Sequence, residues 1–219
     1  MMSENNGSLS PLLDALSIHF QATLHLIRVF LELEWTIFSR LLVLIVLVAA
    51  FYLGYLIFTL RNVRQPLPAW EKLGKPFIKP LRPRTFAFLL GKIDPYAKSI
   101  DMRVSTLSRG FCTAIMRDHH SNRNPFNSIH ATALATFAET VGGLALTSNL
   151  KPKDRTILVS LNMQYQKKAR GLLTASSEYI LPNDFTGKNE IKTEVILKDR
   201  KLDTVATATL VWLVERKDD

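Results

Sequence analysis

The feature that most constrains this chain is a run of 20 residues, 41–60, LLVLIVLVAAFYLGYLIFTL, that contains no charge. As an α-helix rising 1.5 Å per residue it is roughly 30 Å long, the hydrocarbon thickness of a bilayer. Globular cores rarely need an uncharged helix of that length, so the run predicts a transmembrane helix. A cleaved signal peptide fits poorly, because the run begins late, is too long and lacks an A-x-A-like site.

Charge gives the span a direction. Residues 1–60 carry a net −2, residues 61–100 a net +7 and residues 101–219 a net +4, so the total of +9 lies mostly in a short middle segment. Arg28 and Arg40 precede the span, whereas Arg61, Arg64, Lys72, Lys75 and Lys79 follow it. This excess predicts a single-pass protein with its C-terminal domain on the cytosolic side, or on the matrix side of a mitochondrial membrane. An endoplasmic-reticulum or mitochondrial membrane is expected if the source is eukaryotic. Beside an anionic leaflet each basic residue adds about 1 kcal/mol of attraction. Charge this localised argues against a nucleic-acid partner.

Residues 11–38 are rich in Leu, Ile and Phe but broken by Asp14, His19, His25, Arg28, Glu32 and Glu34. They predict an interfacial amphipathic helix rather than a second span. Asn6-Gly7-Ser8 is an N-glycosylation sequon and thus a topology probe. The single cysteine, Cys112, excludes an internal disulfide and a Cys-based zinc site. His119-His120 lacks a nearby third ligand, so neither metal nor cofactor is expected.

Beyond the span, residues 65–83 hold five of the ten prolines and predict an extended, semi-rigid connector. A short helix is expected over 84–90. Strands are expected over 100–107, 111–117, 156–168, 172–181, 190–198 and 204–214, separated by turn clusters such as Pro182-Asn183-Asp184. In 156–168 Ile157, Val159, Leu161, Met163 and Tyr165 alternate onto one face. Short connections favour an antiparallel sheet. One long helix is expected over 128–150, with an apolar stripe of Leu134, Phe137, Val141 and Leu144. Its other side, Thr132, Ala135, Thr136, Gly142 and Gly143, is small rather than charged. Such a helix should be buried all round, by a sheet curling about it, with the small side open to a partner chain or ligand. The lone carboxylate in this helix is Glu139.

Asn124 precedes His130 by six positions and His130 precedes Glu139 by nine, within a strand–turn–helix context. This pattern resembles the PaaI-like acyl-CoA thioesterases, whose signature runs from Asn to His-Gly-Gly to an acidic residue on the helix. The resemblance covers about residues 95–215. It implies an α+β hotdog fold, an antiparallel sheet wrapped around one central helix, here following an N-terminal transmembrane helix. The expected layout is an amphipathic segment at 1–40, the span at 41–60, a basic Pro-rich linker and short helix at 61–94, and the hotdog domain at 95–219. Ala131-Thr132 stands where the family has Gly-Gly, and Asn127 where it has Gly.

The implied activity is hydrolysis of an acyl-CoA thioester, a fatty one by its membrane setting, to free acid and CoA. Backbone N–H groups at a helix N-terminus have no intrahelical partner and sit at the positive end of the dipole, so the Ala131 N–H suits an oxyanion hole. Glu139 is expected as general base on water, or as a nucleophile forming an anhydride. Burial among apolar groups would raise its pKa. Asn124 would position water or thioester and His130 would order the turn. Asn127, Thr132 and Thr136 are candidate substrate contacts, with Lys167, Lys168 and Arg170 for the CoA phosphates. Eight residues on one helix separate Ala131 from Glu139, about 12 Å, so one site must draw on two subunits. A homodimer, or a dimer of dimers, follows. The alternative is a non-catalytic acyl- or lipid-binding hotdog protein or membrane assembly factor. No G-x-S-x-G elbow, P-loop or dinucleotide fingerprint is present.

Overall fold

A computed structural model of the chain describes residues 10–32, 36–60, 65–76, 78–182 and 185–216. The sequon at 6–8, Glu34, Arg61, Arg64 and two residues of the 182–184 turn lie outside them. The chain divides into two units, Met1–Phe58 and Thr59–Asp219.

The first unit contains α1 (Ser10–Glu32) and most of α2 (Ile37–Leu60). In α1, Asp14, Ser17, Gln21, His25 and Arg28 recur at helical spacing and leave Leu12, Leu16, Phe20, Leu24 and Ile27 on the other side, which makes the helix amphipathic. Among the described residues α2 is the one helix long and apolar enough to cross a membrane, and its apolar window buries nothing within the chain.

The second unit begins with α3 (Pro66–Lys72), a 3-10 turn (Lys79–Leu81), α4 (Arg82–Ile93) and α5 (Pro95–Lys98). The connector expected to be extended is therefore largely helical. Its prolines start helices rather than prevent them: each of these four segments has a proline in its first two positions, where the missing N–H costs no hydrogen bond. Trp70, Leu73, Ile78 and Phe86 are buried. The Trp70 and Phe86 rings meet edge to face at 5.1 Å, and the Arg82 guanidinium lies 3.9 Å above Trp70.

Six strands follow: β1 (Arg103–Ser108), β2 (Phe111–Arg117), β3 (Arg155–Tyr165), β4 (Leu172–Glu178), β5 (Lys188–Lys198) and β6 (Thr204–Glu215), with α6 (Ala131–Thr147) between β2 and β3. The sheet is antiparallel throughout, in the order β1-β2-β4-β5-β6-β3. It curls around α6. Leu134, Phe137, Val141 and Leu144 are buried against it, as the stripe predicts. Gly142 also faces the sheet, where Leu210 and Val195 leave no room for a Cβ, and Thr136 is buried. The small side is accordingly narrower than the sequence suggests. Thr132, Ala135, Glu139, Gly143 and Thr147 stay exposed or half-exposed. The helix is thus covered on one side and not all round, because one sheet of this chain cannot close on itself.

β3 is an edge strand. Between Leu158 and Ser160 its register against β6 slips by one residue, a bulge at Val159. The slip breaks the expected alternation: Ile157 and Val159 are exposed, while Leu161 and Met163 are half-buried.

Candidate active site

The loop from β2 to α6 carries the site, and Asp118 at the end of β2 holds it. Its carboxylate pairs with Arg123 and accepts the Gly171 N–H at 3.1 Å. Burial pushes its pKa up, but the Arg123 bond, the Gly171 N–H and the charges of Arg123 and Arg170 together pull it below the usual carboxylate value. Asn122 accepts the His119 N–H at 3.0 Å and donates to the Arg117 carbonyl at 2.9 Å.

Asn124 organises the turn that follows. Its Oδ1 accepts from the Phe126 N–H, the Ser128 N–H and the Ser128 hydroxyl, at 2.9, 3.2 and 3.1 Å. That occupies the oxygen and leaves Nδ2 to serve a ligand. Asn127 takes a left-handed φ of 55°, the conformation for which Asn is the commonest substitute for Gly. Its carbonyl accepts from Arg170 Nε at 3.0 Å.

His130 is the N-cap of α6. Its Nδ1 accepts from the Thr132 N–H at 3.3 Å and meets the Thr132 hydroxyl at 2.8 Å. Nδ1 as acceptor places the neutral ring's proton on Nε2. The threonine thus strengthens the cap that orders the turn. The Ala131 N–H, one position earlier, makes no hydrogen bond among the described residues. The Tyr165 hydroxyl donates to the Ala131 carbonyl at 3.2 Å.

A cleft of about 250 Å³ opens at this helix end and is lined by Asn124, Ser128, Ala131, Tyr165, Lys167 and Lys168. The structure therefore brings Asn124, Ala131, Lys167 and Lys168 together. Arg170 braces the Asn127 turn beside them, and Thr136 lies buried a turn further on, its hydroxyl bonded to the Thr132 carbonyl at 3.0 Å. Lys167 is held between Asp199 and Asp203 at 2.6 and 2.8 Å, which neutralises it as an anion ligand. Lys168 is exposed and has no ion-pair partner among the described residues. Asp118, Ser128 and Tyr165 escaped the sequence reading; an Asp closing a strand five residues before an Arg was the one signal available for the first.

Glu139 lies apart. Within this chain it is exposed, not buried as expected, because it projects from the uncovered side of α6. It has no hydrogen-bond or ion-pair partner among the described residues, and neither Thr136 nor Thr140 holds it. Partial loss of hydration and then the charge of Asp94 push its carboxyl above the usual range. Asp94 is fixed nearby as the N-cap of α5, accepting the Ala97 N–H at 3.0 Å. Cys112 is fully buried in β2, and burial pushes its thiol up to about 12, so it is no nucleophile. Among the described residues no group of three or more His, Cys, Asp or Glu side chains could hold a metal ion.

Among solved structures, a Pseudomonas aeruginosa protein of unknown function, a probable thioesterase, is similar to the chain with 20% identity and a TM-score of 0.54, over 62% of this chain and 97% of that one. A Haemophilus influenzae thioesterase is similar with 18% identity and a TM-score of 0.51, over 58% of this chain and 88% of that one. The fold shared with these thioesterases is the hotdog. No curated protein matches the chain. The family model described as "Domain of unknown function (DUF4442)" matches residues 82–214, more than half of the chain and all of the strands but the last residue of β6. The chain belongs to that family, the one described as Domain of unknown function (DUF4442).

Proposed function

We propose that the protein is a membrane-anchored acyl-CoA thioesterase whose site is completed across a homodimer. The observation that carries this reading is an unpaired carboxylate, Glu139, on the open side of a helix whose own N-terminus offers a free N–H about 12 Å away. Neither group serves the fold of its own chain, and a partner helix running beside the open side supplies the missing half of each site.

In this reading the thioester carbonyl lies against the Ala131 N–H, with Asn124 Nδ2 holding the water. The partner's Glu139 takes a proton from that water as its oxygen attacks the carbonyl carbon. The resulting oxyanion is held by the Ala131 N–H at the positive end of α6. Collapse breaks the carbon–sulfur bond, and the departing thiolate recovers the proton from Glu139, giving acid and CoA. A raised pKa suits a group that must both take and return a proton. Lys168 is the cation left for the CoA phosphates. The outer edge of β3, with Ile157 and Val159 exposed beside it, supports pairing of two copies. α2 supports anchoring, with α1 at the interface and the hotdog domain on the cytosolic or matrix side.

The test is thiol release by the full-length protein in nanodiscs with palmitoyl-CoA and butyryl-CoA, beside its Glu139→Gln variant. Turnover lost in the variant supports the reading. A folded wild type that binds acyl-CoA without turnover favours the ligand-binding alternative, for which the Ala131-Thr132 pair speaks.

A further inference from the structure

A second cleft, of about 510 Å³, lies between α4 and the C-terminal half of α6. Its size is that of a small-molecule site, roughly 300–1,000 Å³. Phe86, Leu89 and Ile93 of α4, Leu144 of α6, Pro66 and Leu60 are among the residues that line it. Two of the polar groups in its wall are spent within the chain: Gln65 Nε2 donates to the Leu150 carbonyl at 2.8 Å, and the Thr147 hydroxyl to the Gly143 carbonyl at 2.7 Å; the one charged lining residue, Lys92, has its ammonium 5.5 Å from the Phe88 ring. A ligand here finds apolar surface and almost no hydrogen bonds, which selects hydrocarbon over any polar body.

We infer that this cleft holds the hydrocarbon tail of the acyl thioester. Two of its lining residues argue for that occupant. Leu60 is the last residue of the bilayer-length apolar helix. Ile93 is followed in sequence by Asp94, whose charge reaches Glu139. A tail lying here keeps its methylenes out of water while its carbonyl end approaches the carboxylate of the same protomer. The identity of the head group rests on the hydrolase reading above, whereas the placement of the tail does not.

The experiment uses the full chain in phosphatidylcholine nanodiscs with a hydrolysis-resistant palmitoyl-CoA thioether that carries a diazirine at the end of its tail. Labelled residues are mapped by mass spectrometry after irradiation, and a butyryl analogue serves for comparison. The expected label falls on α4 and on residues 144–147 with the long tail and not with the short one. Leu89→Trp fills the cleft and should cut the label at least about tenfold, since each methylene excluded costs about fourfold in affinity. Ile93→Ser removes apolar wall at a position 84% exposed, so the fold is untouched, and should weaken labelling by a smaller factor. If Leu89→Trp does not fold, Ile93→Ser carries the test.

Label confined to α2, to the Ala131 cleft or to a second copy of the chain overturns the inference, as does label unchanged in the folded variants. Label in the cleft without thiol release from palmitoyl-CoA leaves the inference standing and removes the hydrolase reading. Thiol release with a chain-length preference identical in wild type and Leu89→Trp does the reverse.

Discussion

The two sides of α6 follow different rules. On the sheet side every residue is explained by the chain itself: Phe137 is fully buried, Gly142 is small because Leu210 and Val195 press on it, and Leu134, Val141 and Leu144 complete the core. On the open side the chain explains Thr132, whose hydroxyl meets the His130 cap at 2.8 Å, and Gly143, where a Cβ would lie 3.2 Å from the Trp212 ring, but not Glu139. A helix exposed on one face normally carries several charges there, and this one carries a single carboxylate with no partner. The difference teaches where to look for function. Residues that the fold does not need, on a surface the fold leaves unfinished, are those that something outside the chain must explain.

The sharpest way to break this comparison is Glu139→Gln. Thiol release should fall by about 10²–10⁴, the usual contribution of a positioned acid–base group. Thermal unfolding should hardly move, since exposed substitutions usually stay within about 0.5 kcal/mol. The sign agrees: a carboxylate with a raised folded-state pKa stabilises the fold only below its unfolded pKa, and that contribution is lost as pH rises, so its removal costs nothing at neutral pH. Phe137→Ala on the sheet side should do the opposite, costing about 3–5 kcal/mol in chemical denaturation. Gly142→Ala should cost about 1–3 kcal/mol in the same measurement, because its Cβ meets Leu210 Cδ1 and lies 3.0 Å from Val195 Cγ2.

The smallest expected effect is the most diagnostic. A general base must be unprotonated, so turnover should rise with pH through the raised pKa of Glu139. Asp94→Asn removes one cause of that shift while keeping a good N-cap for α5. The acid limb of the pH–rate profile should then move to lower pH, with maximal turnover little changed. An unmoved limb would detach Asp94 from Glu139.

Much of the fold was legible because period-two patterns and turn residues are local signals. The strands begin and end within a few residues of expectation, and the apolar stripe of α6 names its buried side. Prolines misled between residues 65 and 83, since Pro66 or Pro83 opens a helix as readily as it extends a connector. Val159 misled on β3, because a bulge reverses the alternation without marking the sequence. At the site, the spacing of Asn124, His130 and Glu139 was legible and the left-handed Asn127 was foreseeable. The exposure of Glu139 and the capture of Lys167 by Asp199 and Asp203 were not, since both depend on residues brought together from distant strands and loops.

The sealed thiol of Cys112 has a practical consequence for all of these measurements. With the chain's one cysteine fully buried and its acidity suppressed, a chromogenic thiol reagent added to the native protein detects released CoA against a silent background. When the domain opens, the same sulfur becomes one equivalent of signal per chain. A single cuvette can therefore follow turnover at low temperature and cooperative opening on heating, and so separate a variant that cannot react from one that cannot hold together.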